Sequence, residues 1–306
     1  MKASAIVFAY HDVGVRCLKV LLHHKVNVRL VVTHEDSSDE NIWFQNVQMT
    51  ANDYGLPSIT PADPNTPELL NIYRQTNPDF IFSFYYRHLL SHAVLDIPMR
   101  GAYNMHGSLL PKFRGRAPVN WAVLKGETET GATLHKMNDK PDAGDIYAAE
   151  RVPILSDDTA LEVFNKVTLA AEIALDRILP ALLDGTASAT PQNQVQATYF
   201  GKRKAEDGKI DWTLGARELH NLIRAVAPPY PGAFTDIGKD HFILAKTLCF
   251  SQKGPLAQPG FFIENENIYC QCADMGILLI LKLFRNDKVL TPKEFETSYG
   301  KVLIPG

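Results

Sequence analysis

Ala5-Ile6-Val7-Phe8-Ala9-Tyr10-His11-Asp12-Val13-Gly14 is the stretch that decides the fold class of this chain. Five apolar residues in a row read as a strand buried on both faces, the kind found in parallel sheets covered by helices. Tyr10 to Gly14 then reads as a loop, and Val15 to His24 as a helix. Val26 to Thr33 alternates and is the next strand. Asn41 to Tyr54 reads as a helix ended by Gly55 and Pro57, and Pro67 to Gln75 as a short one. Phe80 to Phe84 and Ala102 to Met105 read as further strands. This β-α-β-α-β order predicts an α/β fold, with an open, mostly parallel, Rossmann-like sheet and helices on both faces. Sites in such sheets form beyond the carboxyl ends of the strands. Tyr10, residues 85–90 and residues 104–116 fall there.

Further along, Asp157 to Asp184 is the clearest helix. Leu161, Phe164, Val167, Ala171, Ala174 and Ile178 recur at steps of three or four. Asp157 or Asp158 caps it and Gly185 stops it. Gly185 to Gln196 is small, polar and Pro-containing, and reads as a linker. Beyond it come a helix at Ala216 to Ala227 and short strand-like runs at 242–244, 261–263 and 276–283. These predict a smaller, mainly β, OB-like domain. The expected division is residues 1–190 and 200–306. A chain of 306 residues with a 45% hydrophobic share can bury cores of that size.

Charge and cysteine usage exclude several classes. The net charge of -3 gives no basic excess for nucleic acid or an acidic membrane surface. The N-terminus lacks the apolar core of a signal peptide, and no run reaches the length of a membrane span. Cys17, Cys249, Cys270 and Cys272 are too few and too scattered for a disulfide framework. A cytoplasmic protein is expected. Cys270 and Cys272 lie in an alternating run and read as core packing. No His, Cys and carboxylate cluster has ligand spacing, so no metal is expected.

The chemistry concentrates in Ala102-Tyr103-Asn104-Met105-His106-Gly107-Ser108-Leu109-Leu110-Pro111-Lys112-Phe113-Arg114-Gly115-Arg116. Residues two apart in a strand face the same side, so the Asn104 amide and the His106 imidazole converge. A Gly/Pro/basic loop follows at once. One neutral and one titratable donor can stabilise an oxyanion and move a proton. Asp142 is the best third member, since Pro141 and Gly144 place it on a shaped turn between strand-like segments. A carboxylate there favours the imidazolium form of His106.

These residues resemble the 10-formyltetrahydrofolate-dependent formyltransferases. Asn104-x-His106, the loop from Ser108 to Gly115 and Asp142-x-Gly144 carry the likeness. Phe8-Ala9-Tyr10-His11 and Phe84-Tyr85-Tyr86-Arg87-His88 resemble the amino-sugar branch. More narrowly they look like the UDP-4-amino-4-deoxy-L-arabinose formyltransferases, commonly half of a bifunctional polymyxin-resistance protein. Residues 223–227 and 230–234 extend the likeness, which covers essentially the whole chain. The resemblance implies direct attack of a sugar amine on the formyl carbon, with 10-formyltetrahydrofolate as co-substrate. It implies that His106 and Asn104 stabilise the oxyanion and that Asp142 orients His106. It implies a pterin held against His88, Leu89, Leu90 and the loop Asn138, Asp139, Lys140, Pro141 and Asp142, with Arg116 on the cofactor. Tyr10, His11, Arg224 and Tyr230 are the candidate sugar or diphosphate contacts. The implied context is lipid A modification.

Two segments depart from the pattern. Lys204-Ala205 stands where the family often has Thr-Pro, and Pro228-Pro229-Tyr230-Pro231 where Asp-Pro-Trp-Pro is usual. The dehydrogenase half of the bifunctional relatives is not expected here, because the chain ends at Gly306 and carries no Gly-x-Gly-x-x-Gly motif. The expected partner is a nucleotide sugar, and the oligomeric state stays open. Rival readings are a formyltransferase for a dTDP- or GDP-amino sugar, a methionyl-tRNA formyltransferase, and a catalytically silent folate- or nucleotide-sugar-binding protein. Residues 34–41 are acidic and would repel a tRNA backbone.

Overall fold

The structure, a computed structural model, describes residues 2–37 and 40–305. The chain divides into two compact units. The first comprises Met1–Pro118, Glu129–Val152 and Asn165–Gly201, and the second Val119–Thr128, Pro153–Phe164 and Lys202–Gly306.

In the first unit, β1 (Ser4–Ala9), β2 (Asn27–Val32), β3 (Ser58–Ile59), β4 (Phe80–Phe84) and β5 (Ala102–His106) are parallel neighbours in the order β3-β2-β1-β4-β5. A short strand β6 (Arg114–Gly115) lies outside this sheet. The sheet continues through β7 (Glu129–Lys136), antiparallel to β5, to β8 (Ile146–Pro153). All six residues of β1 are buried, as a central strand requires. Ile6, Phe8, Leu30, Val32, Ile81, Tyr73 and Val94 form one core cluster. The strand β6 pairs with β9 (Tyr199–Phe200).

Helix boundaries differ from the sequence reading by more than a residue in three places. Helix α1 (His11–His23) begins immediately after β1, with extended Tyr10 as its N-cap. Gly14 therefore belongs to a helix and not to a loop. A Cβ there would stand 3.1 Å from Ala9 Cβ and from Val47 Cγ2, so close packing explains the glycine. Helix α2 (Val47–Asp53) is shorter than expected, because Asn46 caps it by accepting from the Met49 N–H at 2.9 Å. Helices α3 (Pro67–Thr76), α4 (His92–Leu95) and α5 (Pro118–Leu124) follow in order. Helix α6 (Ala160–Asp184) starts behind Thr159, which shares a reciprocal capping box with Glu162. Gly185, at φ +78, ends it.

The second unit is an open antiparallel half-barrel. Its strands are β10 (Ala233–Ile237), β11 (Asp240–Lys253), β12 (Gly260–Glu264), β13 (Asn267–Gln271), β14 (Gly276–Arg285), β15 (Lys288–Val289) and β16 (Val302–Leu303). They run in the order β10-β11-β14-β13-β12-β16, with β15 beside β14. Helix α7 (Ala216–Val226) lends Leu219, Leu222, Ile223 and Val226 to a core with Phe242, Phe261 and Leu278. Helix α8 (Pro292–Tyr299) adds Phe295. Cys270 and Cys272 are buried in that core. Among the described residues no helix is long and apolar enough to cross a membrane.

Candidate active site

Strand register builds the site. Asn104 and His106 stand two apart on β5, and the antiparallel pairing sets Asn104 opposite His135 and His106 opposite Thr133. Asn104 Nδ2 lies 3.1 Å from His135 Nε2, while His135 Nδ1 lies 2.9 Å from the Lys136 carbonyl. A carbonyl only accepts, so Nδ1 carries the proton and Nε2 receives the Asn104 amide. The second hydrogen of that amide is left for a ligand.

His106 is buried, at 6% exposure. Its Nε2 donates to the Phe113 carbonyl at 2.8 Å, and its Nδ1 faces Asp142 Oδ1 at 3.5 Å. His135 Nε2 is 3.6 Å from the same oxygen. The other carboxylate oxygen accepts from the Gly115 N–H at 2.9 Å. Burial alone raises the pKa of Asp142. The charge of His106 and the Gly115 N–H outweigh it and hold Asp142 well below the usual carboxylate range. The structure thus brings Asn104, His106 and Asp142 together. The loop after β5 is folded onto β7: Thr133 Oγ1 donates to the Ser108 carbonyl at 2.6 Å and accepts from the Leu110 N–H at 3.2 Å.

The other first-unit candidates frame this centre. His88 and Leu89 are exposed and Leu90 is buried. Asn65 pins their loop, donating to the Leu89 carbonyl at 3.0 Å and accepting from Ser91 N–H at 2.7 Å. Asn138, Asp139, Lys140 and Pro141 form an exposed turn, closed by the Lys140 N–H on Asn138 Oδ1 at 3.0 Å. Asp139 meets His92 Nε2 at 3.0 Å, and the Tyr199 hydroxyl donates to the Pro141 carbonyl at 3.2 Å. Arg116 is exposed. Burial first, then the charges of His88, Arg87 and Arg116, push the His34 imidazole down to about 4. His34 is therefore a neutral acceptor at physiological pH, and it takes the Arg87 N–H at 3.0 Å.

Tyr10 and His11 are packed rather than open. The Tyr10 hydroxyl donates to Asp36 at 2.8 Å, and its ring lies under the Arg87 guanidinium. His11 stacks on Phe44 at 3.8 Å. Arg87 forks onto Glu40 at 2.6 and 2.7 Å. Ser38 and Asp39, in the acidic segment singled out above, lie outside the described residues.

Arg224 and Tyr230 belong to the second unit. Arg224, read above as a candidate diphosphate contact, lies among backbone carbonyls. It is 6% exposed, and its guanidinium spans the carbonyls of Leu155, Asp158 and Val123 while Nε donates to Asn221. It braces that unit. Arg224→Ala should cost about 1–3 kcal/mol in denaturant melts by orphaning those acceptors, with the acceptor KM unchanged. A raised KM at unchanged stability would restore the ligand role. The half-buried Tyr230 phenol is pushed up to about 12 by burial.

Sequence reasoning missed His135, Thr133, Asn65, Arg114 and Gln192. The signal for the first two was present, since alternation in Thr133-Leu134-His135 sets both polar residues on one face. Among the described residues no group of three His, Cys, Asp or Glu could hold a metal.

A donor amide, a buried imidazole and a depressed carboxylate at the carboxyl edge of a parallel sheet are the equipment of an acyl-transfer enzyme. Residues 14–179 match the formyl transferase family and residues 202–300 the formyl transferase C-terminal domain. The chain belongs to the formyl transferase family, and it is a formyltransferase. Among solved structures, an N-formyltransferase from Helicobacter canadensis, in complex with folinic acid and dTDP-3-aminofucose, is 20% identical with a TM-score of 0.73. That likeness covers 92% of this chain and 99% of the other. WlaRD, a sugar 3N-formyl transferase determined with dTDP and 5-N-formyl-THF, is 18% identical with a TM-score of 0.72, over 94% and 99% of the two chains. A 4-N formyltransferase from Francisella tularensis is 20% identical with a TM-score of 0.61, over 76% and 91%. At these identities the likeness is one of fold.

Proposed function

We propose that this formyltransferase moves the formyl group of 10-formyltetrahydrofolate to the amine of a nucleotide-linked amino sugar, with UDP-4-amino-4-deoxy-L-arabinose as its acceptor. The convergence of Asn104, His106 and Asp142 at the end of β5 carries the reading. The structural neighbours solved with folates and dTDP ligands support the donor and the acceptor class. The exposed Leu89 and the turn at 138–141 suit a flat pterin, and exposed Arg116 suits an anionic group.

In the reaction the sugar nitrogen bonds to the formyl carbon, and the carbonyl π pair moves onto oxygen. The free hydrogen of the Asn104 amide donates to that oxyanion. His106, with Nδ1 facing Asp142, presents its Nε2 donor beside it. The formyl oxygen takes the Nε2 donor by replacing the Phe113 carbonyl. The oxyanion pair then re-forms the carbonyl as the bond from carbon to N10 breaks, N10 gains a proton and the sugar nitrogen loses one. A carboxylate held as low as Asp142 is a weak base. Its work is to aim the His106 ring, and the amine proton leaves through water.

A dTDP-linked amino sugar is the second acceptor to test, because two of the neighbours were determined with dTDP or a dTDP sugar. A tRNA acceptor is disfavoured by exposed Glu35, Asp36 and Glu40. The deciding experiment supplies 10-formyltetrahydrofolate with the UDP sugar, a dTDP-amino sugar and charged initiator tRNA. Turnover of the UDP sugar alone is the expected result. Turnover of the dTDP sugar alone sinks the substrate assignment and keeps the chemistry. Turnover of tRNA alone, or of nothing, overturns the proposal.

A further inference from the structure

The segment from Gly185 to Gln196 reads as a linker, yet it grips the loop that carries Asp142. Gln192 is buried, at 7% exposure. Its Nε2 donates to the Asp142 carbonyl at 2.9 Å and to the Gly144 carbonyl at 2.7 Å. Its Oε1 accepts from Arg114 Nη2 at 2.7 Å and Nε at 3.2 Å. Arg114 is buried too, and its Nη1 donates to Gln194 Oε1 at 3.1 Å. The residue after Arg114 is Gly115, whose N–H holds Asp142 Oδ2. One primary amide thus closes a ring from the Asp142 backbone through Gln192, Arg114 and Gly115 to the Asp142 carboxylate.

That ring has a task. Asp142 sits at φ 58, in the left-handed region that residues with a Cβ occupy uncommonly, aspartate more readily than most, and the ring ties the backbone on both sides of it. All the hydrogen-bonding capacity of the Gln192 amide is used: two N–H donors on two carbonyls, and one oxygen on two guanidinium donors. A carboxylate at this position could still meet Arg114, but it would face two carbonyl oxygens without a proton to offer. An asparagine is one methylene too short to span both loops.

We infer that Gln192, anchored by Arg114, is a positioning residue for formyl transfer, fixing the Asp142 backbone and so the aim of its carboxylate at His106. It touches no reacting atom. The inference rests on the role proposed above for Asp142.

The test compares wild type, Gln192→Glu, Gln192→Ala and Arg114→Lys as full chains, in two readouts. The first is steady-state kinetics across pH. The variants should lose about 10²-fold in kcat, the scale of a misplaced catalytic group. Both KM values should stay within about threefold. The acid limb of the pH profile should move up, because a carboxylate parted from His106 and the Gly115 N–H regains its ordinary affinity for protons. The second readout needs no substrate. Hydrogen exchange at the Gly115 amide should speed up about tenfold or more, since its acceptor has swung away. Faster exchange with a wild-type turnover rate, or unchanged exchange, overturns the inference. So does a raised KM at constant kcat, which would make Gln192 a substrate contact. If wild type formylates no amino sugar, the acceptor assignment fails, while the exchange data still decide whether the brace holds Asp142. Thermal melts identify a variant that fails to fold, and Arg114→Lys, which keeps the charge and loses the fork, then carries the comparison.

Discussion

Asp142→Asn should lower kcat by about 10³–10⁴-fold, the loss expected when the carboxylate orienting a catalytic imidazole becomes an amide. The physical reason is local. Asparagine can still accept the Gly115 N–H that Asp142 Oδ2 now holds at 2.9 Å. The amide nitrogen, however, then faces His106 Nδ1 and donates to it. The ring keeps its Nε2–H on the Phe113 carbonyl and loses the anion that faces Nδ1. Site geometry survives and the carboxylate that aims and polarises the imidazole does not, so KM should change little. A loss of less than tenfold would remove Asp142 from the mechanism. The same variant has a stability signature. The folded-state pKa of Asp142 is depressed, so its ionised form stabilises the fold at pH values above the ordinary carboxylate pKa of about 3.9 and loses that contribution as pH falls below it. Denaturant melts should show Asp142→Asn less stable than wild type at neutral pH, with the gap closing in acid. A gap that widens in acid would contradict the sign.

Much of this site is legible in the chain because strand periodicity is local. Asn104 and His106 share a face by spacing alone, and Pro141 and Gly144 mark the turn that holds Asp142. Alternation also puts Thr133 and His135 on one face, but which partner that face meets is set by the pairing of β5 with β7. Register between strands about thirty residues apart is not written in either strand. Composition misled twice. Gly14 looked like a loop residue and is the close-packed first turn of α1. The Gln192 segment looked like a linker because polar, small residues are equally what a buried hydrogen-bonding strap needs. Arg224 shows the opposite limit: the arginine alone draws a phosphate reading, and its backbone carbonyl partners lie about 65 to 100 residues away in the chain, where no local pattern announces them.

Gly144→Ala should be as damaging as losing a catalytic donor, although Gly144 touches no reacting group. A Cβ there would lie 1.8 Å from the Lys136 carbonyl oxygen and 2.9 Å from its carbon. Both are backbone atoms, so no side chain can swing aside. The Lys136 N–H also bonds the Asp145 carbonyl at 2.9 Å, which closes the neck of the turn. Relief of the overlap must open that neck, and three contacts depend on it. The Lys136 carbonyl sets the His135 tautomer that receives Asn104. The Gly144 carbonyl is one of the two that Gln192 holds. Asp142 itself lies two residues away, with its carboxylate aimed at His106. We expect a kcat loss of about 10²–10³-fold from the combined misplacement of Asn104 and Asp142. Overpacking at a buried backbone contact should also cost about 1–3 kcal/mol of stability. Gly201→Ala is the matched control, because a Cβ at Gly201 meets nothing within 4 Å, and it should stay near wild type in both measures. If Gly144→Ala turned over at the wild-type rate, the turn could move without moving Asp142. The carboxylate would then be held by the Gly115 N–H and His106 alone.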